Sequence, residues 1–166
     1  MNRRYALGLI GAAAVTAGAF SLAPRSSGLA DFGAAYAAGD DVDTSAIREM
    51  VMGAEDAPVT LMEYASFTCP HCAEFHATVY PKLKKNYIDT GKIKFTFRAF
   101  FFNRYGLWAD MVARCGGEMR FFGIADMLYD QQTDWVGAGS ADKVIAKLKT
   151  IGRSAGLTDG QMDQCL

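Results

Sequence analysis

A change of hydrophobic period near Thr68 constrains the fold more than any other feature of this chain. The preceding run VTLMEYASF, residues 59–67, is apolar almost throughout, which is typical of a strand buried on both faces of a parallel sheet. After it the apolar residues Phe75, Val79 and Leu83 recur at four-residue steps, as on one face of a helix. The pattern predicts a strand that leads directly into a helix, with Thr68 as the helix N-cap.

A second strand is predicted after this helix. Apolar and polar residues alternate along TGKIKFTFRAF, residues 90–100, as in a strand with one buried face. A strand, a helix and a strand in succession form a βαβ unit, in which the two strands are parallel. Pro81 predicts a kink in the helix, and the chain after Tyr105 has helical periodicity. We therefore predict an α/β fold, with a βαβ core in residues 47–103 and a helical part in residues 104–166.

The first 38 residues are predicted to be an export signal. Arg3 and Arg4 precede an apolar segment rich in small residues, and residues 35–37, Ala-Tyr-Ala, fit a cleavage site. The Sec route is favoured because NRRYALG lacks most of the twin-arginine pattern, and an uncleaved membrane anchor is the alternative. The mature domain would be residues 39–166, without stable membrane insertion. The formal net charge of −1 gives no indication of nucleic acid as a partner.

The segment CPHC places Cys69 and Cys72 at the predicted start of the helix. Free backbone N–H groups and the helix dipole stabilise a thiolate at Cys69, so its pKa is expected to be low. Cys72 is one turn further on, within disulfide reach, and can resolve a mixed disulfide formed at Cys69. His71 adds a polar group that can stabilise the thiolate, and Pro70 lies in the first turn, where its missing N–H costs little. These residues predict a reactive dithiol that moves disulfides between proteins.

Glu63 interrupts the apolar strand, and a carboxylate in such a place needs a reason. It lies six residues before Cys69, near the strand end, where it could relay the proton of the resolving cysteine. Pairing of Glu63 with a lysine is the competing interpretation. We interpret His76 as a helix-surface residue without a chemical role. A zinc site at the dithiol is disfavoured because no second close pair of ligands exists.

Cys115 and Cys165 are the two remaining cysteines, and each lies near the end of a predicted helix. Export to an oxidising compartment favours disulfides, and with the other two cysteines close together, Cys115–Cys165 is the natural second bridge. Its large loop could add roughly 4 kcal/mol of stability in the chain-entropy model. Two free buried thiols are the alternative.

The segment DAPVTLMEYASFTCPHCAEFH resembles the DsbA-type thiol:disulfide oxidoreductases of the thioredoxin superfamily. The matching features are the CPHC motif, the glutamate six residues before it and the amphipathic helix after it. Residues 107–166 resemble the helical insertion of alphaproteobacterial members, some of which have a second, non-catalytic disulfide there. The resemblance implies a thioredoxin-like fold with a helical insertion. It also implies these roles: Cys69 as nucleophile, Cys72 as resolving cysteine, His71 as modulator of the potential, and Glu63 as proton relay.

The resemblance also implies a periplasmic dithiol oxidase without a cofactor. Such a protein would donate its disulfide to exported, reduced or unfolded proteins and be reoxidised by a DsbB-like membrane quinone reductase. A reductase or isomerase of the same fold is a second hypothesis, and a non-catalytic fragment is a third. In the family the insertion is followed by a cis-proline loop, two strands and a helix, whereas here Pro81 is the last proline and the sequence ends at Leu166. We therefore expect a C-terminally truncated fold, with an exposed apolar edge on the strand of residues 59–67.

Overall fold

The sheet of this protein contains three strands in the computed structural model, which describes residues 43–45 and 47–166. The strands β1 (Met50–Met52), β2 (Val59–Ala65) and β3 (Ile93–Ala99) lie in the order β1-β3-β2. β2 and β3 are parallel, and β1 is antiparallel to β3. The predicted βαβ unit is confirmed, whereas the predicted export signal, residues 1–38, lies outside the described residues.

The helix after β2 starts one residue later than predicted. α1 spans Pro70–Thr78, and its N-cap is Cys69, without a side-chain hydrogen bond. The prediction of Thr68 as N-cap is wrong, because Thr68 Oγ1 lies 3.1 Å from Ser66 Oγ and bonds within the loop. The position that a capping side chain would occupy is therefore held by the first cysteine of the dithiol.

The predicted kink at Pro81 is confirmed. The helix is interrupted at Val79, and Pro81 lies in the first turn of α2 (Tyr80–Leu83), where its missing N–H is tolerated. A π-helical turn, Lys84–Ile88, completes the crossover to β3. Val79 is exposed although the four-residue spacing predicts it in the core, and the buried positions on either side of it are His76 and Tyr80.

The remainder of the chain forms five helices within the described residues. They are α3 (Arg104–Cys115), α4 (Gly117–Asp130), α5 (Gln132–Val136), α6 (Ala141–Ser154) and α7 (Asp159–Cys165). The first of them starts at Asn103, whose side chain accepts from two backbone N–H groups. The last starts at Thr158, which forms a capping box with Gln161. No helix of the described part of the chain combines the length and apolar character that a bilayer-spanning segment needs.

An aromatic core joins the sheet to α4. The ring of Phe97 lies 5.3 Å from that of Phe121, and the ring of Phe95 lies 6.1 Å from that of Phe122. Phe67, directly after β2, stacks on Phe97 at 5.4 Å. Because Phe67 is fixed in this core, the loop that carries the cysteines leaves the sheet from a rigid base.

β2 is not buried on both faces, contrary to the prediction from its apolar sequence. It is an edge strand with only β3 beside it, so much of it faces solvent. Val59 is 52% exposed and Tyr64 is 65% exposed, and Leu61 and Met62 are also exposed. This is the exposed apolar edge that the sequence analysis expects.

Candidate dithiol site

Cys69 lies between the end of β2 and the first turn of α1. Its N–H donates to the Ser66 carbonyl oxygen at 3.0 Å, and its own carbonyl oxygen accepts from the Ala73 N–H at 3.2 Å. Cys72 is one helical turn further on, and both cysteines are partly exposed and carry free thiols. The dithiol therefore sits at the helix end where backbone N–H groups lack helical partners.

The pKa values of the two thiols are shifted in opposite directions. Partial burial raises the pKa of Cys69, but hydrogen bonds from the backbone and thiol of Cys72 and from the His71 backbone outweigh it, so the pKa falls below the ordinary value of 9.0. Burial raises the pKa of Cys72 to about 11. A hydrogen bond with the Ser66 backbone lowers this pKa, whereas the hydrogen bond with the Cys69 thiol and the negative charges of Cys69 and Glu63 raise it further. The reduced site favours a thiolate at Cys69 and a neutral thiol at Cys72.

Pro70 and His71, the two residues between the cysteines, are both exposed. Pro70 begins α1 at a position where no helical hydrogen bond is lost. The group of His71 that lowers the pKa of Cys69 is its backbone N–H. A role of the His71 imidazole in tuning the redox potential stays a prediction.

Glu63 and His76 form a buried pair, and the negative charge of Glu63 helps to raise the pKa of Cys72. The Nε2 atom of His76 lies 3.2 Å and 3.1 Å from the two carboxylate oxygens of Glu63. Their side chains are only 4% and 14% exposed, respectively. The interpretation of His76 as a surface residue is wrong, and so is the pairing of Glu63 with a lysine. His76 faces inward because it lies four residues after Cys72, on the side of α1 that covers β2.

Aromatic rings hold the His76 imidazole in place. It stacks on the Tyr129 ring at 4.2 Å and lies 4.6 Å from the Tyr80 ring. Burial lowers the pKa of His76, but the proximity of Asp126 and Glu63 outweighs burial and raises the pKa above its ordinary value. Among the described residues, no three His, Cys, Asp or Glu side chains converge on a possible metal site.

Gln132 is a site residue that the sequence analysis missed. Its side-chain N–H₂ donates to the carbonyl oxygens of Phe67 and Cys69, at 2.8 Å and 2.9 Å. It is buried at the start of α5, and it ties the helical part of the chain to the cysteine loop. No local signal identifies it, because a glutamine within QQTDW looks like any polar residue at a helix start.

A dithiol at the start of the crossover helix of a βαβ unit, with a helical cluster packed on the same sheet, defines a thioredoxin-type redox protein. A family model described as Thioredoxin matches residues 45–166. The chain belongs to the thioredoxin family, and the predicted thioredoxin-like α/β fold with a helical insertion is confirmed.

The relatives place the chain among DsbA-type proteins. It is 38% identical over 120 residues to a "Putative protein-disulfide oxidoreductase" of Rickettsia bellii, across 72% of this chain and 45% of that protein. It is 32% identical over 99 residues to Disulfide bond formation protein D of Bacillus subtilis, across 54% of this chain and 44% of that protein. The chain thus spans about half the length of these curated relatives.

A solved structure gives the same result. The crystal structure of Wolbachia pipientis alpha-DsbA1 matches with a TM-score of 0.65 and 31% sequence identity. The match covers 72% of this chain and 59% of that chain. Both the sequence and the fold therefore identify a DsbA-type member of the family.

Proposed function

We propose that this protein is a thiol:disulfide oxidoreductase that donates the Cys69–Cys72 disulfide to exported proteins. The observation that carries the proposal is the unequal acidity of the two thiols. A low pKa at Cys69 stabilises the reduced form as a thiolate, and a stable reduced form makes the disulfide oxidising. The names of the relatives in Rickettsia and Bacillus support the same class of reaction.

The reaction would proceed through a mixed disulfide. A substrate thiolate attacks the Cys69 sulfur, and the bond to Cys72 breaks as Cys72 leaves with the electron pair and takes up a proton. A second substrate thiolate then attacks the substrate sulfur of the mixed disulfide, and Cys69 leaves as a thiolate. The substrate loses two electrons and the protein gains two. Because the pKa of Cys72 is about 11, a proton donor is needed in the first step, and we assign this role to Glu63.

The location and partners follow from the same proposal. Residues 1–38 would direct Sec export to the periplasm, and residues 39–166 would form the thioredoxin-like domain. Exported proteins with reduced thiols would be the substrates, and a DsbB-like membrane quinone reductase would restore the disulfide. Within the domain, residues 47–103 carry the dithiol and residues 104–166 form the helical insertion.

The proposal is tested by the redox equilibrium of the purified protein in glutathione buffers, with and without urea. Alkylation and mass mapping report each cysteine separately, so Cys115 and Cys165 serve as an internal control in the same samples. We expect the Cys69–Cys72 disulfide to be strongly oxidising in buffer and less so in urea, because the fold stabilises the thiolate. Equal values in both conditions would instead support a non-catalytic fragment.

A further inference from the structure

Cys72 must exchange a proton in each catalytic cycle, and Glu63 alone gives that proton no route to solvent. The Glu63 side chain is only 14% exposed, and its carboxylate contacts His76 through both oxygens. Once Glu63 has given its proton to Cys72, a carboxylate stays buried in the reduced protein unless a neighbour replaces that proton. His76, which contacts Glu63, is therefore the candidate to carry the proton toward solvent.

The two ring nitrogens of His76 have different surroundings. Nε2 contacts Glu63, whereas Nδ1 is buried without a hydrogen-bond partner among the described residues and lies 3.9 Å from Asp126 Oδ1. That distance is too long for a direct hydrogen bond, and a shift of about 1 Å in the half-exposed Asp126 side chain would close it. An imidazole can receive a proton at one nitrogen and release one from the other.

A pocket connects this side of His76 with the surface. It has a volume of about 270 Å³, enough for several water molecules. His76, Tyr80, Lys84, Asp126 and Asp130 contribute to its lining. Asp126 is 52% exposed at its side chain, so a proton that reaches it has reached solvent.

We propose that His76 carries the proton of Cys72 between Glu63 and the pocket beside Asp126. This proton route rests on the proposed oxidoreductase function and adds two residues to it. When Cys72 leaves the disulfide, its sulfur takes a proton from the Glu63 carboxyl group, and Glu63 takes one from His76 Nε2. His76 is reprotonated at Nδ1 by the Asp126 carboxyl group, which takes up its own proton from solvent in the pocket. Reoxidation of the dithiol reverses each transfer, so Glu63 and His76 return to their starting protonation states.

The surroundings of His76 favour this role near neutral pH. The titratable groups that face it or lie one turn away are Glu63 from β2, Cys72 from α1, Tyr80 from α2, and Asp126 and Tyr129 from α4. Lys84 and Asp130 also line the adjoining pocket. Burial raises the pKa of both tyrosines further above their ordinary range, so they stay neutral. His76 is the group of this set whose ordinary pKa lies closest to neutral pH.

The test is single-turnover reduction of the Cys69–Cys72 disulfide by dithiothreitol, followed against pH in the full chain. The variants are His76→Gln, which keeps an amide beside Glu63 but cannot shuttle a proton, and Asp126→Asn. We expect His76→Gln to slow the reaction by roughly 10²-fold, the lower end of the range for a positioned proton carrier, and added imidazole buffer to restore much of the rate. Asp126→Asn should shift the pH profile to lower pH, because it removes a negative charge beside His76. The matched control Asp142→Asn changes an exposed charge at the start of α6 and should leave the rate unchanged.

Two results would overturn the proton route: a wild-type rate and pH profile in His76→Gln, or a slow rate that imidazole does not restore. Should His76→Gln fail to fold, the pH profile of Asp126→Asn decides alone. Failure of the proposed function is distinguishable, because the wild-type disulfide would then not be oxidising in glutathione buffers, whatever His76→Gln does.

Discussion

The chain contains two cysteine pairs, and the structure gives them opposite surroundings. Cys69 and Cys72 lie three residues apart in sequence at the open start of α1, partly exposed and unbridged. Cys115 and Cys165 lie 50 residues apart, at the ends of α3 and α7, and are joined in a disulfide with Cα atoms 6.0 Å apart. The first pair has helix N–H groups and a buried carboxylate beside it; the second ends two helices of the insertion.

The position of a cysteine pair in the fold determines whether it stabilises the protein or exchanges disulfides. A bridge across 50 residues removes much conformational freedom from the unfolded chain, whereas a bridge across three residues removes little. A helix N-terminus stabilises a thiolate, whereas a helix C-terminus does not. Loop length thus favours stability for Cys115–Cys165, and helix polarity favours exchange for Cys69–Cys72.

The largest expected effect comes from serine substitution in the first pair. Cys69→Ser should abolish disulfide transfer to a reduced substrate protein, because Cys72 is left without the partner with which it forms the donated disulfide. Cys72→Ser, mixed with the disulfide form of the same substrate protein, should instead accumulate a Cys69 mixed disulfide, because the Cys69 thiolate displaces one substrate thiolate and no thiol is left to resolve the product. Mass spectrometry of the alkylated mixtures would distinguish the two outcomes. Substantial transfer by Cys69→Ser would remove the assignment of this cysteine as nucleophile.

Loss of the second pair should act on stability alone. The double substitution Cys115→Ala/Cys165→Ala should lower the free energy of unfolding by up to roughly 4 kcal/mol, measured by urea denaturation with Cys69 and Cys72 reduced in both proteins. The redox equilibrium of the Cys69–Cys72 disulfide in glutathione buffers should not move. A shifted equilibrium would show that the two pairs are coupled through the fold, and Cys115–Cys165 would then act on the redox chemistry as well as on stability.

Those parts of the site that depend on neighbours in sequence were predictable. The position of Cys69 at a helix start follows from the change of period near Thr68, and the parallel pairing of β2 with β3 follows from the crossover between them. The error at Thr68 is a single residue, caused by its bond to Ser66. Local signals therefore locate the dithiol well.

The parts that depend on tertiary contacts were not predictable. The four-residue spacing of Phe75, Val79 and Leu83 predicts that these residues face the core, but Val79 is exposed, and the buried residues on either side of it are His76 and Tyr80. The pairing of His76 with Glu63 joins residues from two different elements, and no pattern within either element announces it. An apolar run alone also cannot tell a central strand from an edge strand, which explains the error for β2.

The smallest expected effect is a pH dependence that only the first pair can show. The folded pKa of Cys69 lies below 9.0, so its thiolate stabilises the reduced protein above pH 9, and this contribution is lost as the pH falls through the folded pKa. The folded pKa of Cys72 is about 11, so its thiol stabilises the reduced protein below pH 9, and that contribution is lost as the pH rises toward 11. Both follow from the linkage between protonation and folding.

Urea denaturation of the dithiol form and of the Cys69–Cys72 disulfide form, in parallel from acid to alkaline pH, would measure this dependence. We expect the stability of the dithiol form relative to the disulfide form to fall on the acid side of pH 9, because Cys69 then takes up its proton. The Cys115–Cys165 bridge has no thiol to titrate and serves as the control. The loss of stability in Cys115→Ala/Cys165→Ala should therefore stay constant over the same pH range, when it is measured with the Cys69–Cys72 pair kept as the disulfide. A flat difference for the first pair would mean that the helix N-terminus does not stabilise the Cys69 thiolate, and the two pairs would then differ in loop length alone.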